Sequence, residues 1–452
     1  MIIQHYLKDV KEKNISITKT IKSILREAKT LNKKHNCFNI ITEDLALEQA
    51  EEQEKSPSGR LAGLPISIKD CICVKNVESR AGSKILKDYE PTFNATVIQK
   101  LVDEGAIIIG KTSQDEFGFG GFSTNTDNIP KNPFDEKVSC GGSSGGSACF
   151  TQLTKNPHAS ISESTGGSIA NPASFCSVSG LTPTYGLVSR YGLIDYANSL
   201  DKIGVMTKTT EELFPIFNVI KGHDKKDSTS LNEKPSNDNK VKKIAIIKEA
   251  FEINPEIKNQ TLANLEDYDV ISLPLNKKYS IPTYYIIAMA EASTNLAKYC
   301  GLRYGQTLPL QGSFNDFFSE VRSKYFTKEA KRRIILGTFT RMAGFRDAYY
   351  LKAMKTRTLL INEYKKAFKK YDVLISPTMP ILPPKFSEID KLSPLEQYQM
   401  DTLTVGPNLS GLPHLSVPSG FIGKLPIGTM LTSNHLEEEK IINFGEQIEQ
   451  RN

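Results

Sequence analysis

No stretch of the 452-residue chain approaches the roughly 18 to 20 consecutive apolar residues that a membrane-spanning helix needs. The opening residues, Met1-Ile2-Ile3-Gln4-His5-Tyr6, lack the charged and apolar regions of a secretory signal, and Asp9 and Glu12 come too early for an Arg-rich transit peptide. A strong charge excess is missing as well. Fifty-seven basic residues against 51 acidic ones give a net +6, a surplus that serves solubility. The Lys-rich stretches at residues 29–34 and 221–243 are interleaved with polar residues rather than aromatic ones, so they read as solvated surface and not as a nucleic-acid platform. Cysteine is too sparse and irregular for a disulfide framework: there are seven, an odd number, in a long chain. Cys71-Ile72-Cys73 has neither redox nor zinc spacing, and two reduced, partly buried thiols on one strand face are expected there. The six histidines are scattered, none at helical metal-ligand spacing, so no metal site is expected.

What remains is ordinary globular composition, 39% hydrophobic and 24% charged. The first 55 residues read as helices: residues 15–31 place Ile17, Ile21, Ile24, Leu25 and Ala28 on one face, and residues 36–54 continue with Leu45, Leu47 and Ala50. Pro57-Ser58-Gly59 breaks that run, and Leu64-Pro65-Ile66-Ser67-Ile68-Lys69 then reads as a short strand ending in a lysine. An amphipathic segment with Val97, Ile98, Leu101 and Val102 leads into Ala106-Ile107-Ile108-Ile109, a buried strand; Ile244-Ala245-Ile246-Ile247 and Val373-Leu374-Ile375 are two more. Helices alternating with buried strands predict an α/β fold. The expected organisation is a helical segment over residues 1–55 packed on a domain of residues 56–452, the two treated as one unit, with a polar loop at about 222–243.

The most unusual composition lies between Cys140 and Ser168. Gly141-Gly142-Ser143-Ser144-Gly145-Gly146-Ser147 comes first and Thr165-Gly166-Gly167-Ser168 follows, with 25 positions between Ser143 and Ser168. A flexible linker would share this texture, but residues 169–181 return at once to apolar packing. Glycines in structured surroundings let backbone N–H groups converge on an oxyanion. A serine nucleophile needs a base. His158 sits in the polar turn Lys155-Asn156-Pro157-His158, and His5, His35, His223, His414 and His435 lie in helical, polar or post-proline contexts, so a Ser-His-Asp triad is not supported. The remaining candidate is a lysine whose apolar surroundings favour the neutral amine, and Lys69 fits. Spacing alone leaves the assembly of Lys69, Ser143 and Ser168 open.

Gly63-Leu64-Pro65-Ile66-Ser67-Ile68-Lys69-Asp70, the 141–147 run and Thr165-Gly166-Gly167-Ser168-Ile169 resemble, in order, three signature stretches of the amidase signature family. The resemblance extends through Gly110-Lys111-Thr112, Asp115-Glu116-Phe117, residues 180–186, Pro377-Thr378-Met379-Pro380 and residues 408–413, nearly the whole chain. Within that family, residues 188–194, Ser199-Leu200-Asp201, residues 222–230 and residues 331–338 are similar to the A subunits of glutamyl-tRNA(Gln) amidotransferases.

The resemblance implies a large mixed β-sheet core covered by helices on both faces. It implies Ser168 as nucleophile on the side-chain amide of glutamine, Ser143 in a cis-peptide turn as proton relay to Lys69, and the N–H groups of Thr165, Gly166, Gly167 and Ser168 as oxyanion hole. Arg333 and Asp401 would bind the α-carboxylate and α-amino groups of glutamine, with Tyr299 adding a hydroxyl and Arg332 competing with Arg333. No cofactor is expected in this chain. ATP and Mg²⁺ would act in a tRNA-binding B subunit, beside a small third subunit, and ammonia would pass there to convert Glu-tRNA(Gln) to Gln-tRNA(Gln). Two places depart from the family pattern: Ser164 stands where an aspartate is usual and Ala170 where an arginine is usual. The alternatives are a free-standing hydrolase of another amide and a catalytically weak scaffold subunit. Asn- and Lys-rich composition suggests a mitochondrial matrix form over a bacterial cytoplasmic one.

Overall fold

Short β-branched runs join across the chain into a single sheet. The computed structural model describes residues 2–451. Its eleven strands are β1 (Phe38–Ile41), β2 (Pro65–Lys69), β3 (Ile107–Thr112), β4 (Ala159–Ser164), β5 (Ser179–Thr182), β6 (Lys202–Thr207), β7 (Ile244–Ile247), β8 (Asp269–Ile271), β9 (Val373–Pro377), β10 (His414–Ile422) and β11 (Leu425–Ser433). Their spatial order is β1-β3-β2-β4-β6-β5-β10-β11-β9-β7-β8. β3, β2 and β4 run parallel towards one edge, and β9, β7 and β8 run parallel at the other. The strands between them pair antiparallel. Every residue of β2, β3, β4, β6 and β9 is buried, so helices cover both faces of the sheet's middle. β3 and β9 contain continuous apolar runs, which is why they were visible in the sequence, whereas β4 and β6 were not singled out there.

The helix Ile17–His35 buries Ile17, Ile21, Ile24, Leu25 and Ala28, the face its periodicity predicts. The Ser16 hydroxyl caps its start by accepting from the Lys19 N–H at 3.2 Å, and Asn36 ends it in the left-handed region at φ 55°. The expected helix over residues 36–54 is corrected in its first part: Phe38–Ile41 is β1, pairing antiparallel with β3, and the helix occupies only Glu43–Lys55. An aromatic and two isoleucines within four residues suit an edge strand, and β3 offers the free ladder. The N-terminal segment is thereby built into the sheet.

Residues 222–243 hold no helix or strand, yet their first part is pinned to the core. Asp224 Oδ2 accepts the Thr96 and Ser189 hydroxyls at 2.6 Å each, and Asp227 pairs with Arg190 at 3.4 Å. All seven cysteines are unpaired, and Cys71 and Cys73 are more deeply buried than expected, burial pushing the Cys73 thiol up to about 11. His158 is buried beside Ser67 at 3.0 Å, and burial pushes its imidazole down to about 3, so it packs as a neutral ring. Among the described residues no helix is long and apolar enough to cross a membrane, and no three His, Cys, Asp or Glu side chains could hold a metal ion.

Candidate active site

Three chain segments meet at the C-terminal ends of β2 and β4. β2 delivers Lys69, which is wholly buried. Ser143 lies just before the helix Gly145–Leu153, and Ser168 lies between β4 and the helix Ala170–Cys176. The Lys69 Nζ is 2.7 Å from Ser143 Oγ, 2.8 Å from the Glu163 carbonyl oxygen and 2.9 Å from Glu163 Oε2. The Gly142–Ser143 peptide is cis. Asp115 holds that turn: its N–H donates to the Ser143 carbonyl at 3.2 Å, and its carboxylate accepts the Ser123 and Asn125 N–H groups at 2.9 and 2.8 Å. Burial pushes the Asp115 carboxyl up to about 7. A Cβ at Gly142 would stand 2.4 Å from Asp115 Oδ2 and 2.6 Å from the Phe122 nitrogen, so only glycine fits beneath the turn. The Ser123 hydroxyl adds a second clamp, donating to the Gly141 carbonyl at 2.8 Å and accepting the Gly145 N–H at 3.1 Å.

The second turn runs over Thr165, Gly166, Gly167 and Ser168, leaving the buried end of β4. Ser168 retains 7% of its surface exposed, while Lys69 and Ser143 retain none. A Cβ on Gly166 would lie 2.5 Å from the Tyr284 hydroxyl, and one on Gly167 would lie 2.3 Å from Thr404 Oγ1. With the oxyanion role that the resemblance implies for this turn, Gly166→Ala is expected to displace it and cut amide hydrolysis about 100-fold, the cost of misplacing one oxyanion donor. Tyr284→Ala, which empties the obstructing volume, should recover part of that loss in the double variant, as steady-state kinetics would show. The Thr165 hydroxyl lies 2.7 Å from Glu163 Oε1 and 2.9 Å from Asp201 Oδ1. Asp201 also accepts the Tyr196 and Ala197 N–H groups at 2.9 Å. Burial, and then the neighbouring Glu163 charge, hold the Asp201 carboxyl well above its usual range.

Ser164 and Ala170 are both buried, and the Ser164 hydroxyl has no hydrogen-bond partner among the described residues. With both charges of the usual pair absent, neither is left uncompensated. Glu163, one position earlier, carries a carboxylate onto Lys69 and was not singled out from the sequence. Its one signal there is an acid inside a strand that otherwise reads as core, since a buried carboxylate needs a partner.

Arg333 and Asp401 come together around one ring. Arg333 keeps only 2% of its surface exposed; its Nε donates to Glu329 Oε1 at 2.8 Å, and its guanidinium lies 5.0 to 5.5 Å from the Phe119, Tyr196, Tyr285 and Tyr398 ring centres. Arg332 turns outward and pairs with the other oxygen of Glu329. The Tyr285 hydroxyl donates to Asp401 Oδ2 at 2.6 Å, and burial pushes the Asp401 carboxyl up to about 6. Thr404, three residues on, is the side chain facing Gly167, so the Asp401 turn packs on the Ser168 turn. Glu116 ties in the arginine's helix by accepting from the N–H and hydroxyl of Thr327, the N-cap of Lys328–Arg341. Tyr299 belongs to a different group: it stacks on Phe117 at 5.3 Å with Tyr304 at its edge, and reaches Arg333 through Phe117 and Phe119. Tyr285, Glu329 and Asp115 shape the site without having been assigned roles from the sequence.

The sequence model of the family described as Amidase matches residues 19–442. The A subunit of glutamyl-tRNA(Gln) amidotransferase from Archaeoglobus fulgidus is 44% identical over 426 residues, covering 92% of each chain. The same subunit from Thermoanaerobacter pseudethanolicus is 42% identical over 470 residues, covering 99% of this chain and 96% of that one. The crystal structure of the Thermotoga maritima A subunit superposes with a TM-score of 0.83 at 33% identity, across all of this chain and 94% of its own. A bacterial aryl acylamidase of the amidase signature family shares the fold alone, with a TM-score of 0.83 at 22% identity, across all of this chain and 96% of its own.

Proposed function

The chain belongs to the amidase family, and from that premise we propose that it is the glutamine-hydrolysing A subunit of a glutamyl-tRNA(Gln) amidotransferase. One observation carries the reading: the buried 2.7 Å contact of Lys69 with Ser143, beside the Thr165–Ser168 turn, in a chain 44% identical to a protein of that name. Ser168 Oγ adds to the carboxamide carbon of glutamine while its proton moves to Ser143, whose own proton passes to Lys69. The N–H groups of residues 165–168 receive the developing oxyanion. Collapse breaks the C–N bond, the relay returns the proton to the leaving nitrogen, and ammonia departs from a glutamyl ester on Ser168. Water then attacks the ester by the same relay and releases glutamate. The intact Lys69–Ser143 contact favours this reading over a silent scaffold.

Free glutamine carries an α-carboxylate and an α-ammonium, and Arg333 and Asp401 offer one charge for each, on the two sides of Tyr285. Asp401→Asn is expected to raise the KM for glutamine about 10- to 100-fold with kcat little changed, the worth of one charged hydrogen bond. The wild type adds a pH signature. With the Asp401 carboxyl at about 6, protonation below that value removes the anion facing the ammonium. The KM for glutamine should therefore rise as the pH falls from 7 to 5, and Asp401→Asn should flatten that rise.

The partner subunits would carry the tRNA and use ATP with Mg²⁺, and the ammonia would be consumed there. Ammonia release from L-glutamine by the assembled subunits, measured against simple apolar amides, tests the assignment. Faster turnover of an apolar amide would instead mark a free-standing hydrolase. The organellar setting rests on composition, and a mitochondrial matrix location is checked by fractionation.

A further inference from the structure

Glu163 has no part in the relay described above, yet it is the carboxylate nearest the base. Its Oε2 accepts from Lys69 Nζ at 2.9 Å, its Oε1 is 2.7 Å from the Thr165 hydroxyl, and its side chain is buried. The same Thr165 hydroxyl stands 2.9 Å from Asp201 Oδ1. A hydroxyl has one hydrogen and can donate to only one of two carboxylates. With both ionised, the other contact would set lone pair against lone pair among buried groups. A proton on Glu163 Oε1 resolves this, donating to Thr165 while Thr165 donates to Asp201. Asp201 suits the ionised end, because both of its oxygens already accept backbone N–H groups.

Lys69 shows the complementary count. Its three neighbours, Ser143 Oγ, the Glu163 carbonyl and Glu163 Oε2, would occupy all three hydrogens of an ammonium, leaving no lone pair for the Ser143 proton. If one proton leaves Nζ and is held on the Glu163 carboxyl, an N–H bond is exchanged for an O–H bond and the total charge is unchanged. Lys69 then donates two hydrogens to Glu163 and turns its lone pair to Ser143.

We propose that Glu163 is a positioning residue that holds the Lys69 proton through a Glu163–Thr165–Asp201 chain, keeping the amine free to receive the proton of Ser143. The proposal rests on the amidase reading of Lys69, Ser143 and Ser168. With one proton held between the two groups, the acid limb of activity marks uptake of a second proton by the pair. The other titratable groups bearing on it are Asp201 from the turn before β6, which feels Arg190; Cys71 just after β2; and Asp115, which feels Lys69 and Arg333.

The test is the pH dependence of sulfonylation of Ser168 by phenylmethylsulfonyl fluoride in the full chain, which needs neither glutamine nor a partner. In Glu163→Gln the acid limb should then report Lys69 alone and move at least one pH unit to the alkaline side. Labelling should be about tenfold slower at pH 7 and within about threefold of wild type on the alkaline plateau. Thr165→Val, which leaves both acids but removes the bridge, should move the limb the same way by less. A limb that stays in place or moves acidward in both variants, with slower labelling at every pH, would show that Glu163 merely braces the lysine and would overturn the proposal. Normal labelling and limb shifts without ammonia release from glutamine would sink the glutaminase reading and leave this one standing.

Discussion

Ser168→Ala should abolish ammonia release from glutamine, with a loss on the order of 10⁵-fold, while the fold and glutamine binding persist. The size follows from its place in the relay. Ser168 is the one partly exposed member of the proposed set, and Ser143 and Lys69 are wholly buried, so no second hydroxyl of the set is open to take over the attack. Removing one oxygen from a site with 7% exposure creates little new cavity, and the Tyr284 and Thr404 packing that shapes the turn is untouched. Thermal unfolding within a few degrees of wild type is therefore expected. Rapid quenching with glutamine should yield a Ser168 peptide heavier by one glutamyl group in the wild type and none in the variant. An acyl group trapped on Ser143 instead would reverse the assigned roles. Ser143→Ala should be the milder lesion, about 10²- to 10⁴-fold, because the nucleophile remains and only its path to the base is cut.

The two serines were legible because glycine leaves a mark. Gly142 and the glycines before Ser168 sit where a Cβ would strike neighbouring atoms, and such positions concentrate small residues into runs that a reader notices. Strands β3, β7 and β9 were legible for a related reason, since burial on both faces demands unbroken apolar stretches. β1 was not, because Phe38–Ile41 is four residues long and becomes a strand through β3, which follows only after two helices and β2. The surroundings of the base were hidden for the same physical reason. Glu163 meets Lys69 across 94 positions, and Tyr285 meets Asp401 across 116, pairings that only the folded chain creates. Tyr284 and Tyr285 are neighbours on the helix Pro274–Asn295, and nothing local distinguishes the one that donates to a carboxylate. Ser164 and Ala170 drew attention as losses against the family pattern. Folding shows a buried carboxylate supplied one residue away instead, aimed at the lysine.

Lys69→Met should remove activity on the order of 10⁴-fold and also destabilise the protein, and the second effect carries its own signature. The substitution keeps most of the volume but strips Ser143 Oγ, the Glu163 carbonyl and Glu163 Oε2 of their shared hydrogen-bond partner. Breaking a buried lysine–glutamate pair from one side typically costs about 3–5 kcal/mol, because the remaining acid loses the base with which it shares a proton. An unpaired buried carboxyl escapes by taking a proton that its unfolded form releases. The unfolded state then binds fewer protons than the folded one, so stability falls as the pH rises. The deficit relative to wild type should accordingly be small near pH 5 and largest near pH 8, as urea unfolding at each pH would reveal. Asp201, already raised by burial and by the Glu163 charge, deepens the penalty because two acids then share one cavity without a cation. Adding Glu163→Leu to Lys69→Met removes the stranded acid and should restore stability to within about 1–2 kcal/mol of wild type while leaving the chain inert. A deficit of equal size at every pH would trace the loss to packing rather than charge. A Lys69→Met variant that still released ammonia would remove the lysine from the relay altogether.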